Sequence, residues 1–166
     1  MGQYWLVVNL DKREYVHPHP VGSGLKLWEQ VAAHPGTGTA LVILCAAQRE
    51  VRGGGDLEMH YKEAKEVIGR WAGDRIAIVG DYAEPEDLPE HFEADLIYDL
   101  CSSVDEIMKN IKLYRENGDL SRAQRLEDAL RKYGPYKDIS QMVAKVIEHE
   151  LGGKFEGDGW REWTQK

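Results

Sequence analysis

The sequence predicts an α/β protein: a mostly parallel or mixed central sheet with an N-terminal β-hairpin, and a C-terminal helical subdomain packed on that sheet. Three observations carry this. Apolar runs bounded by turn residues recur at residues 4–10, 40–46 and 75–79, the pattern of strands. Helical periodicity lies between them, and strands alternating with helices imply a largely parallel sheet. From residue 103 onward only helical patterns remain.

Taken in order, residues 4–10 (YWLVVNL) read as a strand, residues 11–14 as a polar turn, and residues 15–17 as the return strand of a hairpin. Pro18 and Pro20 stop it, because proline cannot donate to a ladder. Residues 25–33 form a short helix with Leu25, Trp28 and Ala32 on one stripe. Residues 40–46 (ALVILCA) are apolar throughout, as in a strand covered on both faces. A polar loop with three glycines leads to a helix over residues 57–71, where Leu57, Tyr61, Ala64, Ile68 and Trp71 recur at helical spacing. Residues 75–79 (RIAIV) are a second buried-type strand and residues 96–100 a third. Ser103 with Glu106 makes a capping box for a helix over residues 104–116. Ser121 caps the next helix, and residues 139–151 form the last. The organisation expected is one domain: an α/β core over residues 1–102, a three-helix part over residues 103–153 and an aromatic tail over residues 154–166. The tail's Phe155, Trp160 and Trp163 predict docking onto the body, with a partner-binding tail as the alternative.

The chain has 166 residues and 21 Lys and Arg against 29 Asp and Glu, a formal net charge of -8. Nearly all the excess lies after Tyr82. No Lys or Arg occurs between Arg75 and Lys109, while ten acidic residues run from Asp81 to Glu106. Such a face repels phosphate backbones, so direct nucleic-acid binding is not expected. The longest early apolar run is too short for a signal peptide or a membrane span, so a cytoplasmic protein with no membrane partner is expected. Cys45 and Cys101 both lie in apolar surroundings and read as buried free thiols.

In open α/β sheets, ligands bind outside the carboxyl ends of the strands. Four loops are selected by that rule. The first holds Arg52, Gly53, Gly54, Gly55 and Asp56. Consecutive glycines let backbone N–H groups approach an anion, and Arg52 adds a bidentate donor. It is neither a Walker loop nor a dinucleotide fingerprint. The second holds Asp81, directly after an apolar strand and placed for acid–base or metal work. The third runs from Asp99 to Ser103, where a helix start would bind an anion and lower the pKa of Cys101 if its thiol pointed that way. The fourth holds His17 and His19, alternate residues of an extended segment that face one way. With a carboxylate such as Asp81 or Asp56 they make a transition-metal set, and His60 pairs with Asp56 at i, i+4. A divalent metal is therefore the candidate cofactor.

The strings NLDKREYVHPH (residues 9–19), GSGLKLWE (22–29), RGGGDL (52–57) and GRWAGDRIAIVGDYAE (69–84) together resemble a family of small uncharacterised microbial and phage-associated proteins. The resemblance covers about the first half of the chain and implies no activity or catalytic residue.

The function expected is a ligand-binding protein or enzyme with one pocket at the strand carboxyl ends. Arg52, Gly53, Gly54, Gly55 and Asp56 would hold a small anionic ligand such as a nucleotide phosphate, with Asp81, His17 and His19 catalytic. The alternative is a non-enzymatic interaction protein whose acidic surface over residues 81–106 meets a basic partner, such as a nucleic-acid-processing protein. Oligomeric state is left open.

Overall fold

A computed structural model of the chain describes residues 2–47 and 58–151. Its centre is a four-stranded mixed sheet, β1 (Trp5–Asn9), β2 (Glu14–Val16), β3 (Ile76–Gly80) and β4 (Lys137–Asp138), in the order β3-β1-β2-β4. β1 pairs antiparallel with both β2 and β3, and only the short β2–β4 pair is parallel.

Side chains of a strand alternate between faces, and here both faces are covered. Val7 and Val16 point into one core, with Trp71 and Leu44, against α1 (Pro18–Val21), α3 (Thr37–Leu44), α4 (Lys62–Val67) and α8 (Ser140–Leu151). Leu6, Val8, Tyr15 and Val79 point into the other, against α5 (Ala94–Leu100), α6 (Val104–Glu116) and α7 (Leu120–Tyr133). The remaining described helix, α2 (Leu27–Ala32), sits at the start of β1. There the Leu25 carbonyl accepts the Trp5 N–H at 2.9 Å, and the Gln30 amide donates to the Trp5 carbonyl at 2.8 Å.

Two expected strands are helices. Residues 40–46 belong mostly to α3. The reason is tertiary: Ser23 Oγ accepts the Thr37 N–H at 2.8 Å, and Gly69 and Trp71 donate N–H groups to the Ile43 and Leu44 carbonyls at its other end. A short apolar run does not by itself distinguish strand from helix. Residues 96–100 belong to α5, because helical spacing puts Asp95 and Asp99 on one side, facing Arg122 and Arg125 of α7. The helix expected over residues 57–71 is confined to Lys62–Val67. The segment after His17 is helical rather than extended, since Pro18 sits well in a first turn. Ser121 is not the cap of α7; Asp119 is, accepting the Arg122 N–H. Cys45 is exposed at the end of α3, whereas Cys101 is buried. Among the described residues no helix is long and apolar enough to cross a membrane.

Each core also holds a carboxylate. Glu14 is buried beneath Arg70, whose Nε and Nη2 donate to it at 2.6–3.0 Å, and Trp71 Nε1 adds a bond at 3.3 Å. On the other face, buried Asp95 accepts from Arg125 at 2.6 and 3.1 Å.

Candidate functional site

The edge strand β3 builds the site. The Asp81 N–H donates to the Tyr4 carbonyl and the Leu10 N–H to the Arg75 carbonyl. These bonds bracket the antiparallel ladder, so residues 75, 77, 79 and 81 turn their peptide groups toward β1. Ile76, Ile78 and Gly80 turn theirs outward. The Gly80 carbonyl accepts the Ala83 N–H. Among the described residues, nothing takes the N–H and carbonyl of Ile78 or the N–H of Gly80.

A cleft of about 410 Å³ opens on this edge, lined among others by Gln3, Trp5, Ile78, Gly80, Tyr82 and Asp87. A side chain at Gly80 would come within 3.3 Å of the Trp5 ring and Gln3 Nε2, so glycine leaves room for both. The far wall is a short 3₁₀ turn, Pro85–Asp87, whose Asp87 carboxylate accepts the Glu84 N–H at 2.8 Å. Glu84, Glu86, Asp87 and Glu90 are exposed along this segment, and among the described residues none has a cationic partner. Arg75, at the start of β3, is engaged elsewhere. It donates to Asp11 at 2.5 and 2.9 Å and lies over the Phe92 ring at 5.0 Å. Its guanidinium holds the Asp11 carboxyl below the usual carboxylate range.

Asp81 stands at the end of β3, as the strand reading expects, and its Oδ1 accepts the Tyr4 N–H at 3.0 Å. One carboxylate oxygen thus extends the ladder. His17 caps α1, its Nδ1 accepting the His19 N–H at 3.3 Å, and the two rings lie 4.8 Å apart, steeply inclined. Burial pushes the His17 pKa down, and His19 adds to this while Asp138 opposes it. Histidines and aspartate are not brought together. Val16 and Ile78 both align with Val7, so β1 lies between His17 and Asp81, a lateral separation of about 10 Å at the usual strand spacing. Among the described residues no three His, Cys, Asp or Glu are grouped to hold a metal ion. Among the described residues His17, His19 and Asp81 therefore do not form one ligand set.

Arg52, Gly53, Gly54, Gly55 and Asp56 lie outside the described residues. The reason for placing their loop at a strand end no longer holds, because the element before it is α3. His60 precedes α4 and is not helical. Cys101 ends α5, and burial raises its thiol pKa well above the usual value, the reverse of activation. Ser103 Oγ accepts the Glu106 N–H, which makes it the cap of α6.

Sequence reasoning missed Gln3, Trp5 and the open edge. Tyr82 and Asp87 carried a signal, since they lie in the acidic stretch directly after β3. Nothing in the sequence marks β3 as an edge strand, because its neighbours come from distant segments. Among the described residues, those lining the cleft include no Lys or Arg. Among the described residues the arrangement offers two unpaired backbone donors, one unpaired acceptor, two aromatic rings and the Asp87 carboxylate.

No family model matches the chain, no curated protein matches it, and no solved structure matches it.

Proposed function

We propose that the protein is a non-enzymatic interaction protein that accepts an extended, basic segment of a partner along the open edge of β3. The observation that carries this reading is the Ile78 N–H and carbonyl and the Gly80 N–H, unpaired among the described residues, beside a cleft lined by Asp87 and followed along the chain by exposed Glu84, Glu86 and Glu90. An extended segment adding to a sheet edge gains main-chain hydrogen bonds, and pockets beside the edge select its side chains. Natural edges are guarded against indiscriminate pairing. Here the guard is charge: an uncharged strand gains little from the rim, an acidic one is repelled, and a basic one is steered in.

A labelled peptide of alternating Lys and Val tests this by fluorescence anisotropy. It is expected to bind, to weaken as salt rises, and to bind about tenfold more weakly to the combined variant Glu84→Gln, Glu86→Gln, Asp87→Asn and Glu90→Gln. A Glu-Val peptide is expected not to bind. Equal binding of the two peptides, or an unchanged affinity in the variant, overturns the reading.

A further inference from the structure

A second surface has no part in that reading. Between α2, α3 and the end of α8 lies a groove of about 560 Å³, lined by apolar side chains that include Val31, Val42, Ile43, Ile147 and Leu151. Its lips are strongly exposed: Val31 is 65% and Val42 75% accessible, and Trp28, one turn from Val31 on α2, is 76% accessible. Single exposed apolar residues are ordinary, but contiguous ones beside a groove mark a surface that something covers. Of the described residues that line it, Glu150 at its end is the only Asp, Glu, Lys or Arg, and His34 is the one histidine.

What covers it is indicated by where α8 leads. Leu151 both lines the groove and is the last described residue. The chain continues through Gly152 and Gly153 to Phe155, Trp160 and Trp163. A chain reaches about 3.3 Å per residue, so Phe155 is within about 13 Å of Leu151. The segment carries Lys154, Arg161 and Lys166 against Glu156, Asp158 and Glu162, so no net charge opposes its approach. It carries large aromatic groups and leaves α8 beside this groove. Aromatic side chains gain the most from filling such a groove.

We infer that residues 155–163 of the same chain seat their aromatic side chains in the α2–α3–α8 groove, against Val31 and Val42. The test uses the full chain with fluorine-labelled tryptophan, the five resonances assigned by single Trp→Phe variants. Val42→Arg, at an exposed position, is expected to move the Trp160 and Trp163 resonances to unfolded-chain values. It is also expected to speed tryptic cleavage after Arg161 by about tenfold, while Leu113→Arg on α6 does neither. In the reverse direction, Trp160→Ala with Trp163→Ala is expected to raise hydrogen exchange at Val31 and Val42, a readout that stands even if Val42→Arg perturbs α3. Resonances indifferent to Val42→Arg, with exchange indifferent to the double variant, overturn the proposal. So does a response present only in concentrated samples, which assigns the groove to a second copy.

Discussion

The two faces of the sheet are covered by helices of different kinds. On one face α6 and α7 run for 13 and 14 residues, each with an apolar stripe and a wet side. On the other, the 12-residue α8 is joined by α1 and α4, of only four and six residues, and by α3, which is apolar on its exposed side as well, at Val42. Helices of a turn or two are not stable alone and are held by what they pack against. The first kind is specified locally and the second by its neighbours. That difference predicts where the protein is fragile.

The largest contrast is between the two buried carboxylates. Glu14 holds Arg70 and Trp71 together, and so fixes the segment that receives the end of α3. Asp95 ties α5 to α7, helices already packed through their own stripes. Removing one partner of a buried pair leaves an uncompensated charge and costs about 3 kcal/mol or more. Glu14→Gln is expected to cost about that, since Arg70 is mostly covered. Asp95→Asn is expected to cost about 1–2 kcal/mol, because Arg125 is 35% accessible and water screens what is left. Urea unfolding of the two variants measures both. Equal losses would mean that the two faces are equally cooperative.

Capping sharpens the same comparison. α6 is capped by its own Ser103, three residues before the donor it satisfies. α3 is capped by Ser23, fourteen residues away, and both Ser23 and Thr37 are buried. Ser103→Ala loses an exposed cap, at about 1 kcal/mol. Ser23→Ala leaves the Thr37 N–H buried and unsatisfied, at about 2 kcal/mol. Thermal midpoints that rank these variants the other way would show that the distant cap matters less than the local one.

This is also why one part of the fold was legible in the sequence and another was not. Ser103 with Glu106, and the stripe of Ile107 and Ile111, spell α6 within one segment. β1 and β3 could be read because alternation and apolar runs sit within five residues. Residues 40–46 could not be read, because what makes them helical is Ser23, Gly69 and Trp71, none of them adjacent in the chain. The consequence reaches the site: a strand at residues 40–46 would put the glycine loop on one rim with Asp81, whereas α3 does not. The end of β3 and Asp81 were anticipated. The open edge was not, since strand order is a tertiary property.

The smallest expected effect concerns protons, and here the two faces have opposite signs. His17 lies at the end of β2, where α1 packs on α8, and burial holds its pKa below the ordinary value of about 6.5. The unfolded chain therefore binds more protons than the folded one just below that pH, and stability rises with pH through this window. What His17 contributes is complete above about pH 6.5 and is lost as pH falls through its depressed folded value. Asp99, on the other face, is raised by burial, although Tyr114 and Arg122 oppose it. Its contribution is greatest when protonated and is lost as pH rises from about 3.9 through its raised value. His17 and Asp99, one on each face, thus respond to acid with opposite sign. His17→Asn keeps a good capping side chain for α1 and removes the titration. Its thermal midpoint is expected to drop less than that of the natural chain between about pH 7.5 and 5.5. An equal drop in both would place the responsible proton elsewhere and remove His17 as the acid-sensitive point of its face.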